Sequence, residues 1–469
     1  MNITGTDIAK VRHQQLVNFD RPFTVTGVVI DSRSVKTGDL FVALKGERVD
    51  GHDFLTKAVQ AGAAAIMVEK RWAFLNEGLL LSLPVPQLIV ENTVRGLGEL
   101  ARFYRSSFNI PVIAVGGSNG KTTTKDMIAD VLSEKYSVLA TEGNFNNHLG
   151  VPLTVFRMDS THDIAVMEVG TNHPGEITNL CEILLPTHGL ITNIGHEHLE
   201  FFKNVGGVAK AEIELFDWLK TYRSRDGKVF LNKDDRHLAK QTRGLRSAVT
   251  YGFSAKDATV RGSAPKLSGT ACAEFQISSG DRSGLTIDLA VPGIHFAHNA
   301  LAAVAVGLTF RVPGKKIQDA LHAFRPAGKR MEVVTIRGIT IINDTYNSNP
   351  DSVRAALETL SAMNTAGKRI AVLADMLELG PGADALHRQV ADHARGAGID
   401  YLLTYGPLSK ATHESSRANF KAHYDQKNML SEYLAELVSA NDVVLIKGSR
   451  GMKMEDVVTF LKERFSKAA

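Results

Sequence analysis

The segment between residues 112 and 132 constrains this chain most, because a short β-branched apolar run is followed there by glycines and then by a helical pattern. The connecting loop reads Gly117-Ser118-Asn119-Gly120-Lys121-Thr122. Glycines allow a tight turn in which successive backbone N–H groups point to one side, and a helix N-terminus adds partial positive charge. The segment therefore predicts a phosphate-binding loop, the alternative being a Gly-rich turn that only links strand to helix.

The chemistry expected of this loop is that of an ATP site with Mg²⁺. Lys121 would reach the β- and γ-phosphates, and the Thr122 hydroxyl would ligate Mg²⁺. The full P-loop pattern has a further glycine where this chain has Val115, so the loop is a G-x-x-G-K-T variant. The predicted nucleotide-binding residues of the loop are Gly117, Ser118, Asn119, Gly120, Lys121, Thr122 and Thr123.

Apolar runs and helical patterns alternate on both sides of the loop, which predicts parallel sheets with helices on their faces. Strands are expected at 112–115, 164–169, 190–194 and 229–232, and later at 340–344, 369–375, 401–404 and 443–447. Residues 248–291 alternate in the manner of an antiparallel extension, and 298–308 predicts a helix that is packed all round. Before the loop, 23–31, 40–44 and 65–68 predict short strands, 54–62 a helix, and 93–106 a further helix.

This pattern predicts an α/β fold of three domains. A small N-terminal α/β domain would cover 1–84, ending near the Pro84-x-Pro86 stretch, since each proline favours extended backbone before it. A central P-loop domain with a parallel sheet would cover 85–313, and a C-terminal Rossmann-like α/β domain would cover 314–469.

Composition excludes several classes of protein. The chain has 469 residues and 54 basic against 50 acidic side chains, a net charge of +4 that gives no reason to expect a nucleic-acid partner. Its apolar tracts are shorter than the ~20 residues of a membrane span, and no signal peptide is expected. With only two cysteines, neither a disulfide framework nor a zinc site is indicated, so we expect a cytoplasmic protein.

Three further polar groups are candidates for metal binding. Glu168 ends a predicted strand beside the loop, where a carboxylate can hold Mg²⁺, the alternative being an exposed strand-end residue. His196 and His198 flank Glu197 and allow a zinc site, a surface turn, or one histidine that completes a metal site with Glu168; spacing alone leaves these open. Lys210 by itself indicates only a solvated helix lysine.

Taken together, segments spread over the whole chain resemble the Mur ligase family, the ATP-dependent amide-forming enzymes of bacterial cell-wall precursor synthesis. The segments are Asp31-Ser32-Arg33, residues 38–46, Asp50-Gly51-His52, the phosphate loop, Gly143 to Asn147, Glu168-Val169-Gly170, His198-Leu199-Glu200, Ala209-Lys210, His295 to Asn299, Asn343 to Pro350, Asp375 to Gly380 and Lys447 to Arg450.

The resemblance implies roles for individual residues. It implies ATP, two Mg²⁺ ions and a lysine carbamylated by CO₂, with Lys121, Lys210 and His198 as catalytic residues. The metal ligands would be Thr122, Glu168, His198 and Lys210. Further nucleotide contacts would come from Asn299, Arg330, Asp344 and Tyr346. The substrate-binding residues would be Ser32, Arg33, Gly46, Asp50 and His52 for the UDP end, with Asn144, Asn146, Asn147, Asn347 and Asn349.

Within the family, the segments at 344–350 and 447–450 resemble the member that joins D-alanyl-D-alanine to UDP-N-acetylmuramoyl-tripeptide. The diaminopimelate-adding member carries Asn-Pro-Arg, whereas Asp351 follows Pro350 here. The resemblance thus implies these two small-molecule substrates, an acyl-phosphate intermediate and a monomeric cytoplasmic enzyme. The alternatives are another Mur-type or folylpolyglutamate-type amide ligase, or a P-loop ATPase that acts on a macromolecule.

Overall fold

The computed structural model describes residues 1–11, 14–223, 227–242, 247–280 and 282–466. Within these residues the strands form sheets of two, five, ten and six strands, and helices pack between and around them. The predicted α/β class with three units is confirmed, because each of the three larger sheets belongs to a different part of the chain. No helix in the described part is both long and apolar enough to cross a membrane.

The first unit is built on the five-stranded sheet, whose order is β2-β7-β6-β5-β4. All pairs in it are parallel except β2 with β7. Its elements are β1 (Ile3–Thr4), α1 (Gly5–Ile8), β2 (Gln14–Val17), β3 (Thr24–Val25), β4 (Gly27–Val29), β5 (Asp39–Val42), α2 (Leu55–Gln60), β6 (Ala65–Glu69), α3 (Lys70–Leu75), α4 (Glu77–Ser82), β7 (Gln87–Val90) and α5 (Thr93–Ser106).

The single strand predicted at 23–31 is two strands in the structure. β3 pairs antiparallel with β1, and β4 pairs with β5 in the larger sheet. Between them the N–H of Thr26 donates to the carbonyl of Gly38, so the chain passes from one sheet to the other at this residue. The sequence prediction failed there because an apolar run carries no signal for a change of partner.

The second unit contains the phosphate loop and the ten-stranded sheet, of order β15-β16-β14-β13-β12-β11-β8-β10-β9 with β17 paired to β16. Its elements are β8 (Val112–Gly116), α6 (Lys121–Ser133), β9 (Val138–Ala140), α7 (Gly150–Val155), β10 (Ile164–Glu168), α8 (Glu176–Leu184), β11 (His188–Ile191), α9 (Leu199–Phe202), α10 (Val205–Tyr222), β12 (Lys228–Asn232), β13 (Ala248–Gly252), β14 (Val260–Gly262), β15 (Lys266–Leu267), β16 (Cys272–Ser279), β17 (Arg282–Pro292) and α11 (Ile294–Thr309).

The predicted parallel sheet and the predicted buried helix of this unit are confirmed. The strands from β9 to β14 run parallel. The antiparallel extension predicted for 248–291 begins only after β14, with β15, β16 and β17, because β13 pairs parallel with both of its neighbours. The helix expected at 298–308 is α11, and its residues from Ala300 to Gly307 are all buried. A helix that is apolar on every face must lie inside the protein, and α11 packs between α6, α12 (Gly314–Ala323) and the sheet.

The third unit is the six-stranded sheet of order β18-β19-β23-β20-β21-β22, parallel except for the β18–β19 pair. Its elements are β18 (Glu332–Ile336), β19 (Ile339–Asp344), α13 (Pro350–Ala362), β20 (Arg369–Ala374), α14 (Ala383–Gly396), β21 (Tyr401–Tyr405), α15 (Lys410–Ser415), β22 (Phe420–Tyr424), α16 (Lys427–Leu437), β23 (Val443–Lys447) and α17 (Glu455–Ser466). Short 3₁₀ turns complete the fold at Ser32–Ser34, Gly51–Phe54, Ala239–Thr242, Gly380–Gly382 and Arg450–Met452.

Two elements of the structure lie across the predicted domain boundaries at 84 and 313. β7 follows residue 84 and still belongs to the first sheet, and α12 follows residue 313 and packs on β17 of the second unit. The boundaries at 84 and 313 stay a prediction.

The second sheet positions the site, because the carboxyl ends of its parallel strands β8, β10 and β11 meet at one edge.

Replacing Phe230 by alanine tests this core. The ring of Phe230 lies on β12 and is 0% exposed, whereas that of Phe74 is 84% exposed. We expect Phe230→Ala to lower the free energy of unfolding by about 3–5 kcal/mol, since it leaves a cavity, and Phe74→Ala to change it by about 0.5 kcal/mol or less. Urea denaturation followed by circular dichroism measures both, and equal shifts in the two variants would contradict this packing.

Candidate active site

A cavity of about 1100 Å³ opens at this edge of the second sheet and extends to the third unit. Its walls come from the phosphate loop, from the ends of β10 and β11, and from loops of the third sheet. Many of the predicted site residues line it, namely Ser118, Asn119, Gly120, Lys121, Thr122, Thr123, Asn144, Asn146, Asn147, Glu168, His198, Asn299, Arg330, Asp344, Tyr346, Asn347 and Asn349. Gly117, Lys210 and the five predicted residues of the first unit are not among the lining residues.

The phosphate loop packs too closely against its neighbours for side chains at two of its glycines. Gly117 and Gly120 have φ angles of 115° and 78°. A Cβ atom at Gly117 would lie 2.3 Å from Oγ1 of Thr192, and one at Gly120 would lie 2.6 Å from Oδ1 of Asn299. Both positions therefore require glycine, and Asn299 lies directly against the loop.

The first amides of the loop are bound within the protein, and the later ones start the helix. The N–H of Gly117 donates to Oε2 of Glu212 at 2.6 Å, and those of Ser118 and Asn119 donate to the carbonyl and side chain of Asn193. The first intrahelical hydrogen bond runs from the N–H of Thr124 to Gly120. The N–H groups of residues 121–123 therefore stand at the free positive end of α6, where helices bind anions.

Buried acids surround the lysine of the loop. Nζ of Lys121 donates to Oε2 of Glu197 at 3.0 Å. Burial alone would lower the pKa of Lys121, but Glu197, Glu212 and Glu168 together raise it above its ordinary value, so the ammonium stays charged. Burial, reinforced by the nearby Glu197 carboxylate, raises the pKa of Glu212 to about 8.

Glu168 is held at the end of β10 by an asparagine. Nδ2 of Asn146 donates to its Oε1 at 2.7 Å, and the carboxylate is 2% exposed. Oδ1 of Asn147 accepts hydrogen bonds from the N–H groups of Leu149 and Gly150 at the start of α7. Glu168 is therefore a buried acid with a fixed orientation.

The two histidines of the 196–198 segment both contact the third unit. Nδ1 of His196 lies 3.0 Å from Oδ2 of Asp351, which also accepts a hydrogen bond from the His196 N–H. Nδ1 of His198 lies 2.6 Å from Oε2 of Glu378. Hydrogen bonding to His198 holds the pKa of Glu378 below its usual value.

The third unit also contacts the phosphate loop directly. The guanidinium of Arg330 lies 3.5 Å from the centre of the Tyr346 ring and donates to the hydroxyl of Thr122 at 3.2 Å. Nδ2 of Asn349 donates to Oδ1 of Asn119 at 2.9 Å. The third unit thus contacts the phosphate loop at the side chains of Thr122 and Asn119.

Two predicted residues of the third unit are held by one buried lysine. Nζ of Lys447 donates to Oδ2 of Asp344 at 2.5 Å and to the carbonyl of Asn347 at 2.9 Å. The N–H of Met331 donates to the other oxygen of Asp344. Asp344 and Asn347 therefore have defined positions beside Arg330 in the cavity wall.

The predicted substrate-binding residues of the first unit do not line the cavity. Arg33 is exposed and pairs with Asp31 at 2.7 Å. His52 is buried, with Nδ1 2.6 Å from Oδ1 of Asp50, Nε2 accepting from the Glu69 N–H, and its ring stacked on Trp72 at 4.8 Å. Both ring nitrogens of His52 are thus used within the protein. Ser32 is half-buried and Gly46 is exposed.

Lys210 lies on the opposite side of α10 from the cavity. Its side chain is exposed, whereas Glu212 is 0% exposed and touches the loop. Two residues along an α-helix differ by about 200°, which separates the faces that they occupy. The structure therefore does not bring Lys210 together with Glu168 and His198.

The sequence analysis assigned no role to Glu197, Glu212, Asp351 or Lys447. Glu212 had a usable signal, because it falls in the apolar stripe that Val208, Leu215 and Phe216 form on α10. The others meet their partners through contacts between distant segments, for which the sequence carries no local signal.

The residues present fit a magnesium ion through their unpaired oxygens. Oε2 of Glu168, Oε1 of Glu197 and Oε1 of Glu212 are buried and have no hydrogen-bond partner among the residues that the structure describes. Within that same part of the chain, no three His, Cys, Asp or Glu side chains form a ready-made metal site. Mg²⁺ usually completes its coordination with water and phosphate oxygens, so one or two protein carboxylates suffice.

Comparisons with known proteins agree along the whole chain. Residues 24–105 match a model described as Mur ligase family, catalytic domain, residues 115–307 the Mur ligase middle domain, and residues 329–450 the Mur ligase, glutamate ligase domain. A UDP-N-acetylmuramoyl-tripeptide–D-alanyl-D-alanine ligase of Bacillus subtilis is 35% identical, covering 98% of each chain. The enzyme of that name from Escherichia coli is 34% identical over 99% of each.

Solved structures that resemble the whole fold of this chain carry the name of the same kind of ligase. MurF from Acinetobacter baumannii has a TM-score of 0.89, with 28% identity and 99% coverage of both chains. The MurF ligase from Thermotoga maritima in complex with ADP has a TM-score of 0.81, with 27% identity, covering 94% of this chain and 98% of that one.

Changing Glu212 to glutamine tests its burial as an acid. A carboxyl whose pKa is raised in the folded state opposes folding increasingly as the pH rises from its unfolded value toward about 8. Glutamine keeps an oxygen for the Gly117 N–H and removes that cost. Between pH 5 and pH 8, we therefore expect the ligand-free wild type to lose about 1–3 kcal/mol more free energy of unfolding than Glu212→Gln. Urea denaturation at both pH values measures this, and an identical pH dependence in both proteins would show that the carboxyl ionises normally.

Proposed function

The chain belongs to the Mur ligase family, and on that premise we propose that it joins D-alanyl-D-alanine to UDP-N-acetylmuramoyl-tripeptide with the conversion of ATP to ADP and phosphate. The reaction belongs to the synthesis of peptidoglycan precursors. The observation that carries the proposal is the phosphate loop at the floor of a large cavity whose other wall comes from the third unit. Full-length similarity to relatives that bear this activity in their names supports the choice of substrates.

The proposed reaction begins with activation of the peptide's carboxylate. A free carboxylate is a poor acyl donor, and transfer of the γ-phosphoryl group of ATP would convert it to an acyl phosphate. This step is mostly positioning and charge neutralisation, which the amides of residues 121–123, the Lys121 ammonium and the Arg330 guanidinium are placed to supply.

Magnesium belongs to the same step. When bound, Mg²⁺ neutralises charge on the phosphoryl group and the carboxylate. We propose Thr122, Glu168 and His198 as residues that would hold it, a choice supported by the unpaired buried oxygen of Glu168. Two ions and a carbamate on Lys210 stay predictions of the family resemblance, and the exposed position of Lys210 does not support the carbamate.

The second step is attack of the neutral amine of the dipeptide on the acyl phosphate. Its tetrahedral intermediate would collapse with loss of phosphate and leave an amide bond. Because an acyl phosphate hydrolyses readily, water must be kept out, and closure of the third unit over the loop serves this purpose. We propose that Asn347 and Asn349 lie near the incoming dipeptide, and that Asn299, Asp344 and Tyr346 contact the nucleotide.

The remaining assignments follow the same division of the chain. We propose that residues 1–84 bind the UDP end of the substrate through Ser32, Arg33, Gly46 and Asp50, with His52 holding Asp50 in place. Asn144, Asn146 and Asn147 would contact the peptide portion in the central unit, 85–313, and residues 314–469 would bind the amine substrate. We further propose that the enzyme acts as a monomer in the cytoplasm.

Competition between amines tests the proposed substrate. With ATP, Mg²⁺ and the muramoyl tripeptide nucleotide present, we expect D-alanyl-D-alanine to support phosphate release about 10²-fold better than diaminopimelate or glutamate, since a pocket built for one amine leaves polar groups unpaired with another. Phosphate release and mass spectrometry of the product measure this. Preference for a free amino acid would assign the chain to another ligase of the family, and stimulation by a macromolecule alone would favour an ATPase.

Replacing Lys121 by alanine tests the division of labour between the units. We expect ligation to slow by about 10²–10³-fold, because a cation aimed at the transferred phosphoryl group is lost. Binding of the muramoyl tripeptide nucleotide, measured by calorimetry without ATP, should stay unchanged. Loss of that binding would mean that the UDP substrate depends on the phosphate loop.

A further inference from the structure

Three buried carboxylates face one ammonium beneath the phosphate loop. Glu168, Glu197 and Glu212 are 2%, 7% and 0% exposed, and each affects Lys121 electrostatically. Among the residues that the structure describes, each of these acids has one oxygen without a hydrogen-bond partner. Buried charge without a partner is costly, so this arrangement suits a site that receives positive charge.

The nucleotide itself increases the need for positive charge. A triphosphate at residues 121–123 would bring several negative charges toward the acids that act on Lys121. Divalent cations held jointly by carboxylate and phosphate oxygens resolve this repulsion, and oxygen donors are the ligands that Mg²⁺ prefers. Lys121, which donates to Glu197, would then be released toward the phosphates as the cation approaches.

The lysine implied by the family resemblance is not available on this side of α10. Lys210 is exposed on the face opposite Glu212, so a carbamate on it would form away from the loop. Glu212, in contrast, already presents a carboxylate under Gly117, and a Cβ atom at Gly116 would lie 2.7 Å from its Oε2. The chain thus provides a carboxyl group at the loop without any modification.

We propose that Glu197, positioned by Glu212, is a cation ligand of the nucleotide site, and that no modified lysine is needed. Glu197 lines the cavity and keeps Oε1 unpaired, as a ligand must. Glu212 does not line the cavity, so it acts as a positioning residue: it accepts a hydrogen bond from the Gly117 N–H and lies against the Glu197 side chain. This inference rests on the proposed ATP-dependent function.

Counting bound Mn²⁺ in the presence of β,γ-methylene ATP tests the proposal without any turnover. Electron paramagnetic resonance would give the number of ions per chain and their affinities in the wild type, Glu197→Gln, Glu212→Gln and Lys210→Ala. Asp217→Asn is the matched control, since it removes an exposed carboxylate from the same helix. Circular dichroism and urea denaturation of every variant establish that it is folded.

We expect two Mn²⁺ ions per chain in the wild type, in the control and in Lys210→Ala. Glu197→Gln should lose one ion or bind it at least about 100-fold more weakly, and Glu212→Gln should bind it about 10–100-fold more weakly, as is typical of groups that orient a ligand. In Glu212→Asp, which keeps a carboxyl group at this position, affinity should recover in part.

Other outcomes have distinct meanings. Wild-type protein that does not bind the nucleotide analogue would overturn the proposed function itself. Normal nucleotide binding with unchanged Mn²⁺ affinities in Glu197→Gln and Glu212→Gln would overturn only the present proposal. Loss of an ion in Lys210→Ala, with its recovery on addition of a short carboxylate, would overturn it in favour of a carbamate on Lys210.

Discussion

Gly116, Gly117 and Gly120 are packed so tightly that none of them has room for a side chain, and the rest of the site depends on this packing. Glu212 lies below the loop, Thr192 beside it and Asn299 above it. With the loop fixed in this way, α6 begins at Lys121 and its first residues, 121–123, line the cavity. The third unit then contacts side chains whose positions are already defined, and closure requires little further ordering.

The electrostatics of the site follow from the same packing. Acids that would ionise readily in water lie buried at the carboxyl end of β10 and in the middle of α10, and the lysine that offsets their charge is also the lysine that a phosphate would attract. Lys121 and its acidic partners can therefore separate when ligands bind, because the nucleotide phosphates can contact the ammonium and the cation can contact the carboxylates. A site whose charged groups were all paired within the protein would gain less free energy from binding nucleotide or cation.

The sequence predicted those parts of the molecule that depend on local patterns. The helix at 93–106 and the strand at 443–447 are observed with the predicted bounds, and the strand, loop and helix around Gly117 lie within two residues of prediction. The edge strand β22 was missed because none of its five residues is fully buried, so it lacks the continuous apolar run that marks a central strand such as β23. The contacts of His196 with Asp351 and of His198 with Glu378 join residues more than 150 positions apart, and no local pattern specifies them. The phase of α10 did distinguish Glu212 from Lys210, but only the packed structure shows which face meets the loop.

The stack of Trp72 on His52 gives this molecule a natural optical probe. The chain has two tryptophans, and Trp218 lies buried on α10 while Trp72 lies beside the Asp50–His52 pair of the first unit. Neither lines the main cavity. Tryptophan emission therefore reports on the first unit and on α10 rather than on nucleotide contacts, and replacing Trp218 by phenylalanine would leave a single tryptophan, beside the residues proposed for the uridine end.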